Sequence, residues 1–172
     1  MGNTPLFDWL AHGPAAIGSL RALLARAVSP AGAGGLARYL GACAAGNGRA
    51  RAAQAEAFAL ELLDHGADPF GAGPAGDPPL ALAIRLGWDR LATRLLESGA
   101  DPDLRDSHGM GPLHLAAALG RESMLQQLIA WGADPDLLAA DGQSPLGVAL
   151  SAGRRDLAGW LDWRGWPLPR RR

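Results

Sequence analysis

An all-α solenoid of helix-turn-helix repeats is the fold class this sequence predicts, and three observations carry it. Gly87, Gly120 and Gly153 stand 33 residues apart, with Pro79, Pro112 and Pro145 and Leu80, Leu113 and Leu146 in the same step. Gly66-Ala67-Asp68-Pro69 returns as Gly99-Ala100-Asp101-Pro102 and as Gly132-Ala133-Asp134-Pro135. An apolar stripe keeps the interval too: Phe58, Leu91, Met124 and Leu157 form one column, and Leu62, Leu95, Leu128 and Leu161 the next. Repetition at a fixed period means one small unit stacked on copies of itself. Such a chain offers an extended surface and no deep pocket, which favours binding of another macromolecule.

The elements follow in order along one repeat domain, residues 1–172. Residues 1–33 read as a degenerate N-terminal capping repeat or as an unrelated helical cap. A helix is expected over 14–28, opened by Pro14, with Ile17, Leu20 and Leu24 on one face. Residues 34–72 read as a degenerate repeat. Its first helix lies near 36–45, with roughly seven extra residues around Gly46-Asn47-Gly48-Arg49 by the repeat register. Residues 73–105 and 106–138 are full repeats. In the second of these, Gly109 and Gly111 flank a turn, and Pro112 opens a helix, where its missing N–H is no loss. Gly120 ends that helix, as a left-handed glycine does. A second helix runs to about Trp131, Gly132 stops it, and Pro135 prevents its return. Residues 139–165 read as a C-terminal capping repeat, because Asp162 replaces the apolar residue of the column Leu63, Leu96 and Ile129. Residues 166–172 form a tail. Ala83, Ala116 and Ala149 share a column in the first helices, where a methyl group allows close packing. The array therefore has four to five repeats.

Composition narrows the function classes. A hydrophobic fraction of 48% is ample for a core, and the net charge of −1 gives no global pull towards nucleic acid or an anionic membrane. All sixteen basic residues are arginine, which reads as a coding bias. Charge is uneven: residues 61–141 carry thirteen acids against five arginines, whereas both flanks are basic. The single cysteine, Cys43, rules out an internal disulfide framework. Asp8, His12, Gly13 and Pro14 interrupt the early apolar residues, so no secretory signal is read, and no apolar stretch reaches the ~18 residues of a membrane span. A cytoplasmic setting is expected.

Gly111-Pro112-Leu113-His114-Leu115-Ala116 resembles the Thr-Pro-Leu-His-x-Ala signature of the ankyrin repeat family, with Gly in place of Thr. Ser144-Pro145-Leu146-Gly147-Val148-Ala149 keeps the hydroxyl and loses the His, and Pro78-Pro79-Leu80-Ala81-Leu82-Ala83 keeps the apolar skeleton. The Gly-Ala-Asp triplets look like that family's loop after the second helix. The resemblance covers residues 73–165. It implies a partner protein, met on the concave face formed by turn tips and first helices. It also gives His114 a structural part in loop hydrogen bonding.

No catalytic constellation emerges. His108 and His114 are six apart, and neither Cys-x-x-Cys nor His-x-x-x-His occurs, so neither metal nor cofactor is expected. Gly71-Ala72-Gly73-Pro74-Ala75-Gly76 has the spacing of a dinucleotide loop, but no predicted strand precedes it and Pro74 interrupts it. Asp68, Asp101 and Asp134 belong to the repeat loop, leaving Asp77, Asp89 and Asp141 to choose a partner. The short Arg170-Arg171-Arg172 tail lacks aromatic interleaving and reads as solvated, so no nucleic acid is expected. Trp160, Trp163 and Trp166 read as cover for the last repeat or as a binding platform.

The partner surface is placed by the repeat register. Asp77, Arg85, Gln143 and Asp141 fall on tips or helix ends. Met110, Leu119, Trp131 and Leu138 form an expected apolar cluster, rimmed by Arg105, His108 and Asp141. The chain is expected to be a monomer when free. An immunity-type inhibitor of a toxin or other enzyme is a sharper alternative, and a scaffolding homo-oligomer a second.

Overall fold

The computed structural model describes residues 12–25, 34–45 and 52–157, and these contain helices and turns but no strand. The chain divides into two compact units, Met1–Ala100 and Asp101–Arg172. The expected features at 1–11, at 26–33 (with the end of the helix expected over 14–28), at 46–51 and from 158 onward lie outside the described residues. They include the start of the N-terminal cap, the glycine-rich connection, Asp162 and the terminal tryptophans.

In the first unit a 3-10 turn, Gly13–Ala16, leads into α1, Ile17–Ala25, which buries Leu20 and Leu24 as its spacing predicts. The pair α2, Gly35–Ala45, and α3, Ala52–Asp64, follows. The next pair is α4, Pro79–Leu86, and α5, Asp89–Glu97. Helices α2 and α3 have 11 and 13 residues, whereas α4 and α5 have 8 and 9. Both described helices of this repeat are thus longer than those of the next.

Its core is built where the pairs meet. Tyr39, Phe58, Leu36, Leu40, Leu62, Leu91 and Leu95 are fully buried. The Tyr39 and Phe58 rings pack edge to face at 5.3 Å, and the Tyr39 hydroxyl donates to the Ala55 carbonyl at 3.3 Å. Burial raises the Tyr39 pKa and pushes the Cys43 thiol up to about 12, which leaves that thiol inert. The Glu56 carboxylate accepts from the Leu91 N–H at 3.2 Å, so α3 supplies an acceptor to the first turn of α5.

The second unit repeats the plan with α6, Pro112–Leu119, α7, Glu122–Ala130, and α8, Pro145–Ser151. Proline opens α4, α6 and α8 alike. Gly87 and Gly120 end α4 and α6 with φ of 79° and 70°, a conformation any other residue adopts at a cost of ~1–2 kcal/mol. The N–H groups of Trp88, Arg121 and Arg154 then return to the carbonyls of Ala83, Ala116 and Ala149, again at the 33-residue step. Those three alanines are completely buried, which explains why that column admits only a methyl group. The stripe Met124, Leu125, Leu128 and Ile129 faces inward, and Leu157 closes its column as a buried residue.

Candidate functional site

The turn tips share one backbone design. In each, the first residue donates to the carbonyl of the fifth: Gly73 to Asp77, Asp106 to Met110, and Ala139 to Gln143. The fourth residue is a glycine of positive φ, Gly76, Gly109 or Gly142, because the chain reverses there. Each tip exposes its second and third residues, whereas the fifth ranges from buried Asp77 through half-buried Met110 to exposed Gln143.

Side chains at the fifth position make a recurring bridge, eight residues on, into the first helix. In the first unit Asp77 meets Arg85, with Oδ2 3.3 Å from Nη1. In the second unit the corresponding pair in the last repeat is Gln143 and Ser151, whose Oγ lies 3.3 Å from Oε1. Between them in sequence the pair is Met110 and Ala118, which has no polar groups to join. Asp77, expected to be open to a partner, is in fact buried at 7% exposure and paired with Arg85. Neither side chain of that pair is therefore a free contact, because the buried Asp77 carboxylate and the half-buried Arg85 guanidinium neutralise each other.

In the second unit the site residues come together in register across two adjacent tips. Arg105 Nη2 donates to the Leu138 carbonyl, one repeat further on. The Ala140 N–H donates to the Gly109 carbonyl at 3.0 Å and ties the tips together. His108 and Asp141 occupy equivalent exposed positions. His108 Nδ1 lies 3.1 Å from Ser107 Oγ, and both Asp141 oxygens are held at 3.0 Å by the Gln143 backbone N–H and side-chain amide. Met110 is half-buried, less open than expected, and its backbone N–H is held by the Asp106 carboxylate.

Trp131 at 47% exposure and Leu138 at 50% are open, as expected. Leu119 is exposed too, but the structure does not place it with them. Helices α6 and α7 are joined by the two-residue turn Gly120-Arg121 and run antiparallel. Leu119 ends α6, and Trp131 caps α7 at the opposite end of the pair, about 12 Å away along an eight-residue helix.

Two exposed leucines escaped the sequence reading. Leu104 precedes Arg105, and Leu150 lies on α8 at 56% exposure. Leu150 shares its column with Ile84 and Ala117, both at 0%, so the repeat pattern signals a core position there. Asp106 was also missed. Its Oδ1 accepts from the N–H groups of His108 and Met110, each at 2.9 Å, and so shapes the tip that carries both. No repeat signal marks it, since Gly73 and Ala139 stand in its place elsewhere.

His114 is completely buried at the head of α6. Its Nε2 lies 3.0 Å from the Gln143 carbonyl, and a carbonyl only accepts, so Nε2 carries the proton. Nδ1 faces the Leu137 backbone without forming a well-aligned hydrogen bond. Burial holds the imidazole below its usual pKa, with backbone hydrogen bonding as a smaller opposing influence. Asp103, raised chiefly by burial, accepts from the Asp134 N–H at 2.9 Å. Asp101 and Asp134 use a carboxylate oxygen to hold the N–H two residues on. These acids serve loop geometry.

The first unit also has a shallow groove of about 650 Å³ between α3 and α5, floored by Ala57 and Leu60. Arg94 crosses it to Asp64 at 3.4 Å, which fills its rim with internally paired charge. Among the described residues no group of three or more His, Cys, Asp or Glu is placed to hold a metal ion. No helix there is long and apolar enough to cross a membrane.

No curated protein matches this sequence. A family model described as ankyrin repeats, in three copies, matches residues 49–139 and again 80–161. With the 33-residue helix pairs, the repeated tips and the buried signature histidine, that match over more than half of its length shows that the chain belongs to the ankyrin repeat family.

Proposed function

We propose that this chain binds another protein through the tips of its second unit, with Trp131, Leu138 and Met110 as apolar contacts and Arg105, His108, Asp141 and Gln143 around them. Ankyrin repeats are generally protein–protein interaction modules. The observation that carries the placement is the distribution of exposed apolar side chains. Five of the six large ones among the described residues, Leu104, Leu119, Trp131, Leu138 and Leu150, fall in the second unit. A Trp and a Leu left in water beside ordered polar tips have the makeup of an interface centre. Leu119 lies outside this surface, at the far end of α6.

The test is affinity capture from the native cell, with the bound protein identified by mass spectrometry and its affinity measured. Trp131→Ala or Met110→Ala is expected to weaken that complex about 30-fold, the equivalent of ~2 kcal/mol. Unchanged affinity with intact helicity removes these residues from the surface. A chain that sediments as a stable oligomer, with no captured partner, redirects the apolar surface to self-association.

A further inference from the structure

From the placement of Arg105 we infer the chemistry of the partner segment: a peptide that sets a carboxylate next to an aliphatic or aromatic side chain. This rests on the proposed binding surface and adds what that surface selects.

Arg105 is exposed and hydrogen-bonded at once. Its Nη2 donates to the backbone carbonyl of Leu138, a residue that is itself half-exposed. A guanidinium has five N–H donors, so this bond leaves most of the fork for a ligand. Arg21, Arg85 and Arg94 each pair with an acid of this chain, whereas Arg105 has no ion pair among the described residues. The nearby carboxylates are committed elsewhere: Asp103 to the Asp134 N–H, and both oxygens of Asp141 to Gln143. A hydrogen-bonded, uncompensated guanidinium recognises a planar anion in a bidentate manner, and the bond made beforehand reduces the entropy lost on binding. The same hydrogen bond ties the cation to the residue that carries an exposed apolar side chain, so the ligand is expected to present its acid and its apolar group close together.

Panning a random dodecapeptide library against the full chain tests this, with Arg105→Gln panned in parallel. Glutamine is neutral but retains an amide donor for the Leu138 carbonyl, and circular dichroism checks that helicity is unchanged. Wild type is expected to enrich Asp or Glu within two positions of Leu, Ile, Phe or Trp. Arg105→Gln is expected to keep the apolar preference and lose the acidic one. The most enriched peptide is then titrated together with its acid-to-amide counterpart. The amide form is expected to bind wild type about tenfold more weakly and Arg105→Gln no more weakly than the acid form. Enrichment without an acid, or an equal loss with both proteins, overturns the assignment of Arg105 while leaving the binding surface standing. Failure to enrich any peptide overturns both.

Discussion

The tip at residues 73–77 and the tip at 106–110 have the same backbone and are held by different side chains. In the first unit the acid stands last, as Asp77, and turns inward to Arg85 of α4. In the second the acid stands first, as Asp106, and its carboxylate gathers the N–H groups of His108 and Met110. Both acids are buried at 7% exposure. The buried carboxylate thus serves a tip from either end of the turn. The choice decides what remains for the surface. With the acid last, the bridge to the first helix is an ion pair; with the acid first, that place passes to Met110 and Ala118. Binding character can therefore change between repeats while the fold stays the same.

The comparison breaks most sharply at a glycine. A Cβ on Gly109, at φ +76, would lie 2.2 Å from the Ala140 Cβ, whereas a Cβ on Gly142, at φ +80, meets nothing within 4 Å. Both positions carry the left-handed penalty, and only Gly109 adds overpacking. Gly109→Ala is expected to lower stability by about 2–5 kcal/mol and Gly142→Ala by about 1–2 kcal/mol in urea unfolding. Equal losses would sink the account of packing between tips.

A smaller contrast separates the two acids. Asp106→Ala strands two backbone donors and is expected to cost about 1–3 kcal/mol. Asp77→Ala is expected to cost about 1 kcal/mol, since Arg85 keeps access to water. Thermal unfolding of both variants decides, and a reversed order would mean that the ion pair is the stronger hold.

The smallest effect is a pH slope in the second unit. Burial keeps His114 below the usual 6.5 in the folded chain, so the unfolded chain takes up the proton first. Stability is expected to fall as pH drops through 6.5 towards the lower native value, and to level off below it. Asp103, raised by burial, acts in the opposite sense: the folded state binds its proton first, so stability is regained as pH falls through the raised value towards 3.8. Unfolding midpoints of wild type and His114→Gln, followed from neutral pH downward, separate the two. A slope near 6.5 that persists without the imidazole belongs to another group.

How far the sequence could be read follows from what the period encodes. Proline, glycine and alanine columns report backbone demands that every repeat shares, so α4 to α8 and their ends were legible. Exposure of Trp131 was legible for a related reason: it stands where a helix gives way to a left-handed glycine. What the period hides is any residue that does its work in a single repeat. Asp106 has Gly73 and Ala139 for counterparts, so its turn-shaping part had no column to reveal it. Asp77 looked free because its partner, Arg85, also differs from its counterparts Ala118 and Ser151. Leu150 misled in the opposite direction, since its column is core in the earlier repeats and open in the last. The lengths of α2 and α3, 11 and 13 residues, were not legible, because a register counts residues between repeated positions and does not say which of them are helical.

The ties of the second unit have a further consequence, for how the chain comes to be folded. His114 reaches Gln143 across 29 residues, Asp103 reaches Asp134 across 31, and Arg105 reaches Leu138 across 33. Each closes a loop of about one repeat, so the entropic penalty of closure is similar for all and none awaits a remote segment. A chain emerging from the ribosome can fasten each tip to its neighbour as soon as the next thirty or so residues are free.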